Sequence, residues 1–164
     1  MEKEQRRKLL KLIETHAHLS QQTLADMLGL PLDEVATTIK RLEEQNIIAG
    51  YHTMVNWDAA DDDHVSAMIE VNVNLTRETS YQEIAEVLYQ FPEVESLYLM
   101  SGAYDFMLLT RRSSMTDISK FVSRLGTVEE VVSTTTHIVM NRYKDHGTIY
   151  DDPNNDMERL VVSQ

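Results

Sequence analysis

Three groups of side chains have the chemistry that binding or catalysis requires. Six histidines are scattered along the chain, an acidic triplet stands at residues 61–63, and Lys40 and Arg41 form a pair of adjacent cations. The histidines lack the spacing of metal ligands, and the triplet lacks the glycine of a calcium loop. The sequence also contains no glycine-rich phosphate loop and no nucleophile motif. We therefore expect no catalytic residue, no metal site and no cofactor, and the cations remain as candidates for binding phosphate.

Composition and charge favour two unlike domains in a cytoplasmic protein. Of the 164 residues, 42% are hydrophobic and 26% are charged, cysteine is absent, and the net charge is −12. The segment up to His52 contains seven basic and eight acidic residues, so nearly all of the net negative charge lies in the rest of the chain. Such asymmetry would keep an acidic domain away from DNA and leave a nearly neutral one to contact it. No apolar run is long enough to span a membrane, and the first residues lack the features of a signal peptide.

The first 52 residues have the periodicity of three helices. Apolar residues recur at three- and four-residue spacing around Leu9 and again around Ile39. Ser20 offers an N-cap oxygen to the second helix, and Gly29 closes that helix where a left-handed residue is needed. Two short helices joined by a tight glycine turn have the helix-turn-helix layout, which presents the second of them to the major groove. The run 47–52 is predicted as a strand, the start of a wing.

The second half of the chain alternates strands and helices. Residues 65–73 have the two-residue period of a half-buried strand, and Ser80 with Glu83 forms a capping-box pattern before the next helix. Two strands, a helix ending at Gly126 and a β-branched run follow. The order β-α-β-β-α-β is that of a ferredoxin-like fold, in which both helices cover one face of an antiparallel sheet. The other face of the sheet would be left uncovered, and a second copy of the chain is expected to pack against it. We therefore predict a homodimer.

Two long segments resemble the Lrp/AsnC, or feast/famine, family of transcriptional regulators. Residues 19–51, LSQQTLADMLGLPLDEVATTIKRLEEQNIIAGY, are similar to its winged helix, and residues 64–144 resemble its ligand-sensing domain, which is related to ACT domains. The resemblance implies an α+β chain: a winged helix-turn-helix at 1–52, a linker at 53–63, and a ferredoxin-like effector-binding and oligomerisation domain at 64–144. It also implies a sequence-specific regulator that binds double-stranded DNA, responds to a small effector of amino-acid type, and forms homodimers that assemble further.

The same resemblance assigns candidate DNA-binding residues. At the second helix it implies phosphate contacts from Ser20, Gln21 and Gln22. On the exposed face of the recognition helix, with Ala36 close by, it implies base and phosphate contacts from four further residues: Thr37, Thr38, Lys40 and Arg41.

The recognition region departs from the family pattern at three places. Pro31 replaces a capping serine, Asp33 and Glu34 add negative charge where the helix enters the groove, and Asn46 replaces a common glycine. Acidic residues can accept from cytosine N4, but they also repel phosphate. The departures therefore leave an alternative open, namely an amino-acid-binding or protein-interaction module whose DNA binding is weak or lost.

A hairpin is the predicted effector site. Residues 101–105 are similar to the family's Thr-Gly-x-Tyr-Asp hairpin. Glycine allows a carboxylate to approach backbone N–H groups, and the aspartate could pair with an ammonium. The residues assigned to this site, including hydroxyls that a neighbouring subunit would supply from the last strand, are Ser101, Gly102, Ala103, Tyr104, Asp105, Thr134 and Thr136. Turn formation and strand propensity are the structural alternatives for these residues.

The segments outside the two domains are predicted from composition alone. Residues 53–63 favour an extended, charged linker. The tail at 145–164 begins acidic and turn-prone and ends with an apolar run at 160–162, which we predict to be a short edge strand.

Overall fold

The computed structural model describes residues 1–60, 63–76 and 79–150 and divides the chain into two compact units. The first unit is Met1–Val55 and the second begins at Asn56. Among the described residues, no helix is long and apolar enough to cross a membrane. The predicted edge strand at 160–162 lies outside the described residues.

The first unit consists of three helices, α1 (Lys3–Thr15), α2 (Gln21–Leu28) and α3 (Leu32–Glu44). Each helix buries one apolar stripe, as the spacing of the apolar residues predicts. Truncating a fully buried leucine of this core, such as Leu9 or Leu42, to alanine would lower the free energy of unfolding by about 2–5 kcal/mol. The buried residues of this core are Leu9, Ile13, Leu24, Ala25, Val35, Ile39 and Leu42.

The turn between α2 and α3 is built by a serine and a glycine, as predicted. The Ser20 hydroxyl caps α2 by accepting a hydrogen bond from the Thr23 N–H at 3.1 Å. Gly29 ends the helix with φ +64°, and the Leu30 N–H then donates to the Ala25 carbonyl at 3.0 Å. Only glycine adopts this backbone conformation without strain. Pro31 is the N-cap of α3 and has no side chain that can cap the helix.

The segment after α3 differs from the prediction. Asn46 has φ +52°, a left-handed conformation that asparagine tolerates better than most residues, so it can replace the glycine of the family pattern. Residues 47–52 form no strand, so the strand predicted at this point is wrong. Ile47 and Tyr51 have strand propensity, but a strand also requires a neighbour to pair with. Tyr51 instead donates to the Glu43 carboxylate at 2.8 Å.

The second unit confirms the predicted β-α-β-β-α-β order. Its elements are β1 (Ala67–Val73), α4 (Tyr81–Leu88), β2 (Val94–Leu99), β3 (Phe106–Thr110), α5 (Met115–Leu125) and β4 (Val131–Ile138). The four strands form one antiparallel sheet in the order β2-β3-β1-β4, with β2 and β4 at the edges. The sequence-adjacent pair β2 and β3 shares the hairpin at residues 100–105.

Both helices pack against one face of this sheet. The strands supply residues such as Ile69, Val71, Phe106 and Leu108 to this core, all at most 1% exposed. The predicted capping box of α4 is present, because the Ser80 N–H donates to the Glu83 carboxylate at 2.7 Å and the Glu83 N–H donates to the Ser80 hydroxyl at 3.3 Å. The helix residues that complete the core are Ile84, Leu88, Ile118, Phe121 and Leu125.

The second unit also contains two short segments of structure that were not predicted from the sequence. Residues 57–60 form a turn, and Asp58 pairs with Arg112 at 3.0 Å, so this part of the predicted linker is not an extended connection. Residues 144–149 form a small hairpin from β5 (Lys144–Asp145) and β6 (Thr148–Ile149). His146 and Gly147 both have positive φ, as a two-residue hairpin turn requires.

Candidate functional site

The exposed face of α3 carries most, but not all, of the residues predicted to contact DNA. Thr37, Lys40 and Arg41 are exposed, and Ala36 is half-buried beside them. Thr38 is only 4% exposed and lies among the core residues, so its placement on the DNA-facing side is wrong. An α-helix turns about 100° per residue, so adjacent threonines point in different directions. Neither Lys40 nor Arg41 forms an ion pair within the described residues, which leaves both cations available to phosphates.

The two acidic residues at the start of α3 have different surroundings. Glu34 is half-buried, and its carboxylate pairs with the Met1 ammonium at 2.7 Å. Asp33 is exposed and forms no hydrogen bond or ion pair with any described residue. Both carboxylates lie in the first turn, where negative charge stabilises a helix. The ammonium partner of Glu34 could not be read from the sequence, because it lies 33 positions away along the chain.

The start of α2 presents the other predicted phosphate contacts. Ser20, Gln21 and Gln22 are all exposed. The Ser20 hydroxyl already caps the helix, and the Gln22 amide donates to Asp26 at 2.8 Å. Gln21 makes no side-chain hydrogen bond to a described residue. Orphan backbone N–H groups at this helix end can also receive a phosphate.

The predicted effector hairpin is an open turn between β2 and β3. It is closed at its base by a hydrogen bond from the Met100 N–H to the Asp105 carbonyl at 2.8 Å. Ser101, Gly102 and Ala103 are exposed, and Tyr104 is half-buried. The N–H groups of residues 101–104 donate to no backbone acceptor in the described part of the chain. Gly102 has φ +146°, and a Cβ added there would meet no atom within 4 Å. The turn therefore presents unpaired donors in open space.

Asp105 holds the base of this hairpin in place. One carboxylate oxygen accepts from the Val73 N–H at 2.8 Å, and the other accepts from the Tyr81 hydroxyl at 2.9 Å. The hydrogen bond to the Asp105 carboxylate raises the pKa of Tyr81 above its usual value. A carboxylate offers about four acceptor sites, so the two protein bonds leave room for a further donor. Sequence reasoning missed Tyr81 and Val73, which come from a different helix and a different strand.

The two predicted threonines lie away from the hairpin within one chain. In the sheet register, Val71 pairs with both Thr134 and Phe106, so Thr134 occupies the cross-strand row beside the hairpin. Thr136 lies two rows further along, opposite Ile69. Because β1 separates β4 from β3, about 10 Å of sheet stands between these threonines and the hairpin strand. A contribution to the same site would have to come from another subunit, as the prediction states.

The described residues contain no group of three or more His, Cys, Asp or Glu side chains that could hold a metal ion.

Comparisons with known proteins agree with both units. The Lrp/AsnC ligand binding domain matches residues 66–149, and a winged helix-turn-helix DNA-binding family matches residues 2–49. The chain belongs to the Lrp/AsnC family. It is a DNA-binding transcriptional regulator with a ligand-binding domain, and because the family consists of regulators, the expectation that the chain is not an enzyme is confirmed.

Two transcriptional regulators and a solved structure of the same fold each match most of the chain. An uncharacterized HTH-type transcriptional regulator of Bacillus subtilis, YugG, is 40% identical, covering 98% of this chain and 97% of its own. A proline dehydrogenase transcriptional activator of Rhizobium radiobacter is 30% identical over 85% of this chain and 90% of its own. The feast or famine regulatory protein of M. tuberculosis, solved in complex with L-methionine, is 24% identical with a TM-score of 0.70, covering 87% of this chain and 95% of that chain.

Proposed function

We propose that this regulator binds DNA through the exposed face of α3 and changes its affinity when an amino acid occupies the hairpin at residues 101–105. The observation that carries the proposal is that each of the two sites presents groups of positive character that have no partner among the described residues. One presents unpaired cations, Lys40 and Arg41, and the other presents unpaired backbone N–H groups. The proposal places the protein in the cytoplasm, and cell fractionation would check that placement.

The DNA-binding part assigns different tasks to the two helices. Lys40 and Arg41 contact phosphates and bases from α3, with Thr37 on the same face, while Ser20, Gln21 and Gln22 approach the backbone at the start of α2. Phosphate contacts supply most of the affinity and base contacts supply the sequence preference. Ala36 stays at the margin of this surface because it is half-buried.

The effector part rests on the polar groups of the hairpin. An amino acid carries a carboxylate, which the N–H groups of residues 101–104 can receive, and an ammonium, which the remaining acceptor sites of Asp105 can receive. Thr134 and Thr136 of a neighbouring subunit would add hydroxyl groups. The methionine complex of the M. tuberculosis relative supports an amino acid as the class of effector.

The uncovered face of the sheet supports the homodimer. Met68 and Tyr98 lie on the side opposite the helices and are 45% and 53% exposed, beside the half-buried Met107 and Leu109. We propose that a second copy covers this face by a two-fold interface, so that the dimer contains two copies of α3, as many as a palindromic target has half-sites. Sedimentation equilibrium of the intact chain should give a dimer or a larger assembly, and a monomer at micromolar concentration would contradict the interface.

A titration with duplex DNA from upstream of the protein's own coding region tests the effector coupling. In a panel of amino acids, we expect at least one to change the apparent Kd about fivefold or more, as allosteric couplings of ordinary size do. Gly102→Ala should abolish the response, because a side chain at φ +146° strains the turn at a cost of about 1 kcal/mol or more.

Gly126→Ala is the matched control for the glycine substitution. Gly126 has φ −65°, and a Cβ there makes only ordinary contacts, so this variant should respond as the wild type does. If no amino acid changed the affinity of the wild type, the effector part of the proposal would fail. A full response in Gly102→Ala would move the effector site elsewhere. Absence of specific binding at every salt concentration would favour the alternative of an amino-acid-binding module without DNA binding.

A further inference from the structure

We infer that Asp33 selects cytosine in the DNA target by accepting a hydrogen bond from the N4 amino group in the major groove. The inference rests on the proposed role of α3 and deepens it, because it names a base that one side chain reads. It concerns a residue that at first sight argues against DNA binding.

The position of Asp33 suits a contact with base edges. It is the second residue of α3, and it lies on the face opposite the buried stripe that includes Val35 and Ile39. Thr37 and Lys40 follow it at spacings of four and seven residues, so all three share one exposed line along the helix. When a recognition helix lies in the major groove, its N-terminal residues contact the bases. Asp33 would therefore stand deeper in the groove than Lys40.

The surroundings of Asp33 leave its carboxylate without a partner. Its neighbour Glu34 is held by the Met1 ammonium at 2.7 Å and is directed away from the exposed line. Asp33 has no hydrogen-bond donor or cation within bonding distance among residues 1–60, 63–76 and 79–150. A charged group that loses water without gaining a donor carries a large desolvation cost. DNA binding through this face thus requires either a donor for Asp33 or a substantial loss of affinity.

The chemistry of the major groove determines which base can supply that donor. A carboxylate only accepts hydrogen bonds, whereas guanine presents two acceptors, N7 and O6, and thymine presents the acceptor O4 and a methyl group. Adenine presents a donor, N6, but its neighbouring N7 acceptor would repel the second carboxylate oxygen. Cytosine presents the N4 donor without an acceptor beside it on the same base. Cytosine is therefore the base that Asp33 selects.

Selection from randomised duplex DNA by the intact wild-type chain and three variants tests the inference. We expect the wild-type motif to contain one cytosine per half-site that is preferred over other bases by about fivefold to a hundredfold, the range for a direct base contact. Asp33→Ala should lose the preference at that position alone. Asp33→Asn should change it toward adenine, because an amide can both donate to N7 and accept from N6.

Glu34→Gln is the matched control, since it removes one negative charge from the same helical turn. It should alter overall affinity much as the Asp33 variants do, and it also removes the ion pair with Met1, but it should retain the cytosine. An unchanged motif in both Asp33 variants would overturn the inference and leave the proposed function intact. A wild-type protein that selects no motif at any salt concentration would overturn the proposed role of α3, and the inference with it.

Discussion

The exposed face of α3 and the hairpin at residues 101–105 use opposite parts of the chain for binding. In α3 the backbone is occupied by helical hydrogen bonds, and the side chains of Asp33, Lys40 and Arg41 are free of partners within the described residues. In the hairpin the charged side chain, Asp105, is occupied by two protein donors, and the backbone N–H groups are free. A binding surface made of side chains can be adapted by substitution to a different DNA sequence. A binding surface made of backbone N–H groups recognises a chemical class of ligand, here one with a carboxylate.

Because of this difference, substitutions in α3 and in the hairpin should have different consequences. Substitutions on the exposed line of α3 change which DNA sequence is read, and the core beneath them is unaffected because its residues lie on the opposite side. Substitutions in the hairpin affect the backbone conformation itself, at Gly102, or the bonds that hold it, at Asp105. We therefore expect DNA binding and effector response to be separable by mutation.

The largest effect should follow from removing the cations of α3. Lys40→Gln combined with Arg41→Gln should weaken DNA binding at least about tenfold, and if both contact phosphates the slope of log K against log salt should fall by roughly two. Fluorescence anisotropy with labelled duplex DNA at several salt concentrations measures both quantities. The effector-binding unit should remain folded and competent, because neither side chain belongs to its core.

Two exposed lysines of the second unit provide the control. Lys120→Gln combined with Lys144→Gln changes the net charge by the same amount at positions outside the helix-turn-helix. If this variant lost as much affinity for DNA as the α3 variant, the effect would come from overall charge. The claim that the side chains of α3 contact DNA would then be refuted.

The sequence predicted the elements of both regions better than the contacts between them. Local patterns sufficed for the cap at Ser20, the glycine at Gly29 and the capping box of Ser80 with Glu83, because each is made within a few residues. The β-α-β-β-α-β order of elements along the chain also followed from strand alternation and helical period. Thr38 was misplaced because it was assigned to the same face as Thr37, Lys40 and Arg41. It lies three positions after Val35 and four before Leu42, which is the spacing of the buried stripe.

The contacts that sequence reasoning missed are those between distant residues. The predicted strand at 47–52 had the right residue types, but local propensity contains no information about a pairing partner. Asp105 was assigned to a ligand because carboxylates pair with ammonium groups, yet its protein donors lie 24 and 32 positions earlier in the chain. The hydrogen bond of Tyr81 could be found only once α4 was placed against the sheet.

A smaller effect tests the structural role of Asp105. Tyr81→Phe removes the hydroxyl that donates to this carboxylate, so at neutral pH the variant should unfold at a lower urea concentration than the wild type. The pKa of Tyr81 is raised in the folded state, first by this hydrogen bond. Its contribution is therefore complete below the unfolded pKa of about 10, and it is lost as the pH rises through the folded pKa.

The pH dependence distinguishes this hydrogen bond from a simple packing effect. The difference in urea midpoint between wild type and Tyr81→Phe should be constant from neutral pH to near pH 10 and should shrink above it, since the phenolate cannot donate. Tyr89→Phe is the control, because Tyr89 is exposed and its hydroxyl bonds to no described residue, so its midpoint should follow the wild type throughout. A Tyr81→Phe midpoint equal to that of the wild type at neutral pH would show that Asp105 is not held by Tyr81. The Val73 N–H would then be the one protein donor to this carboxylate among the described residues, and the contrast between the hairpin and α3 would be weaker.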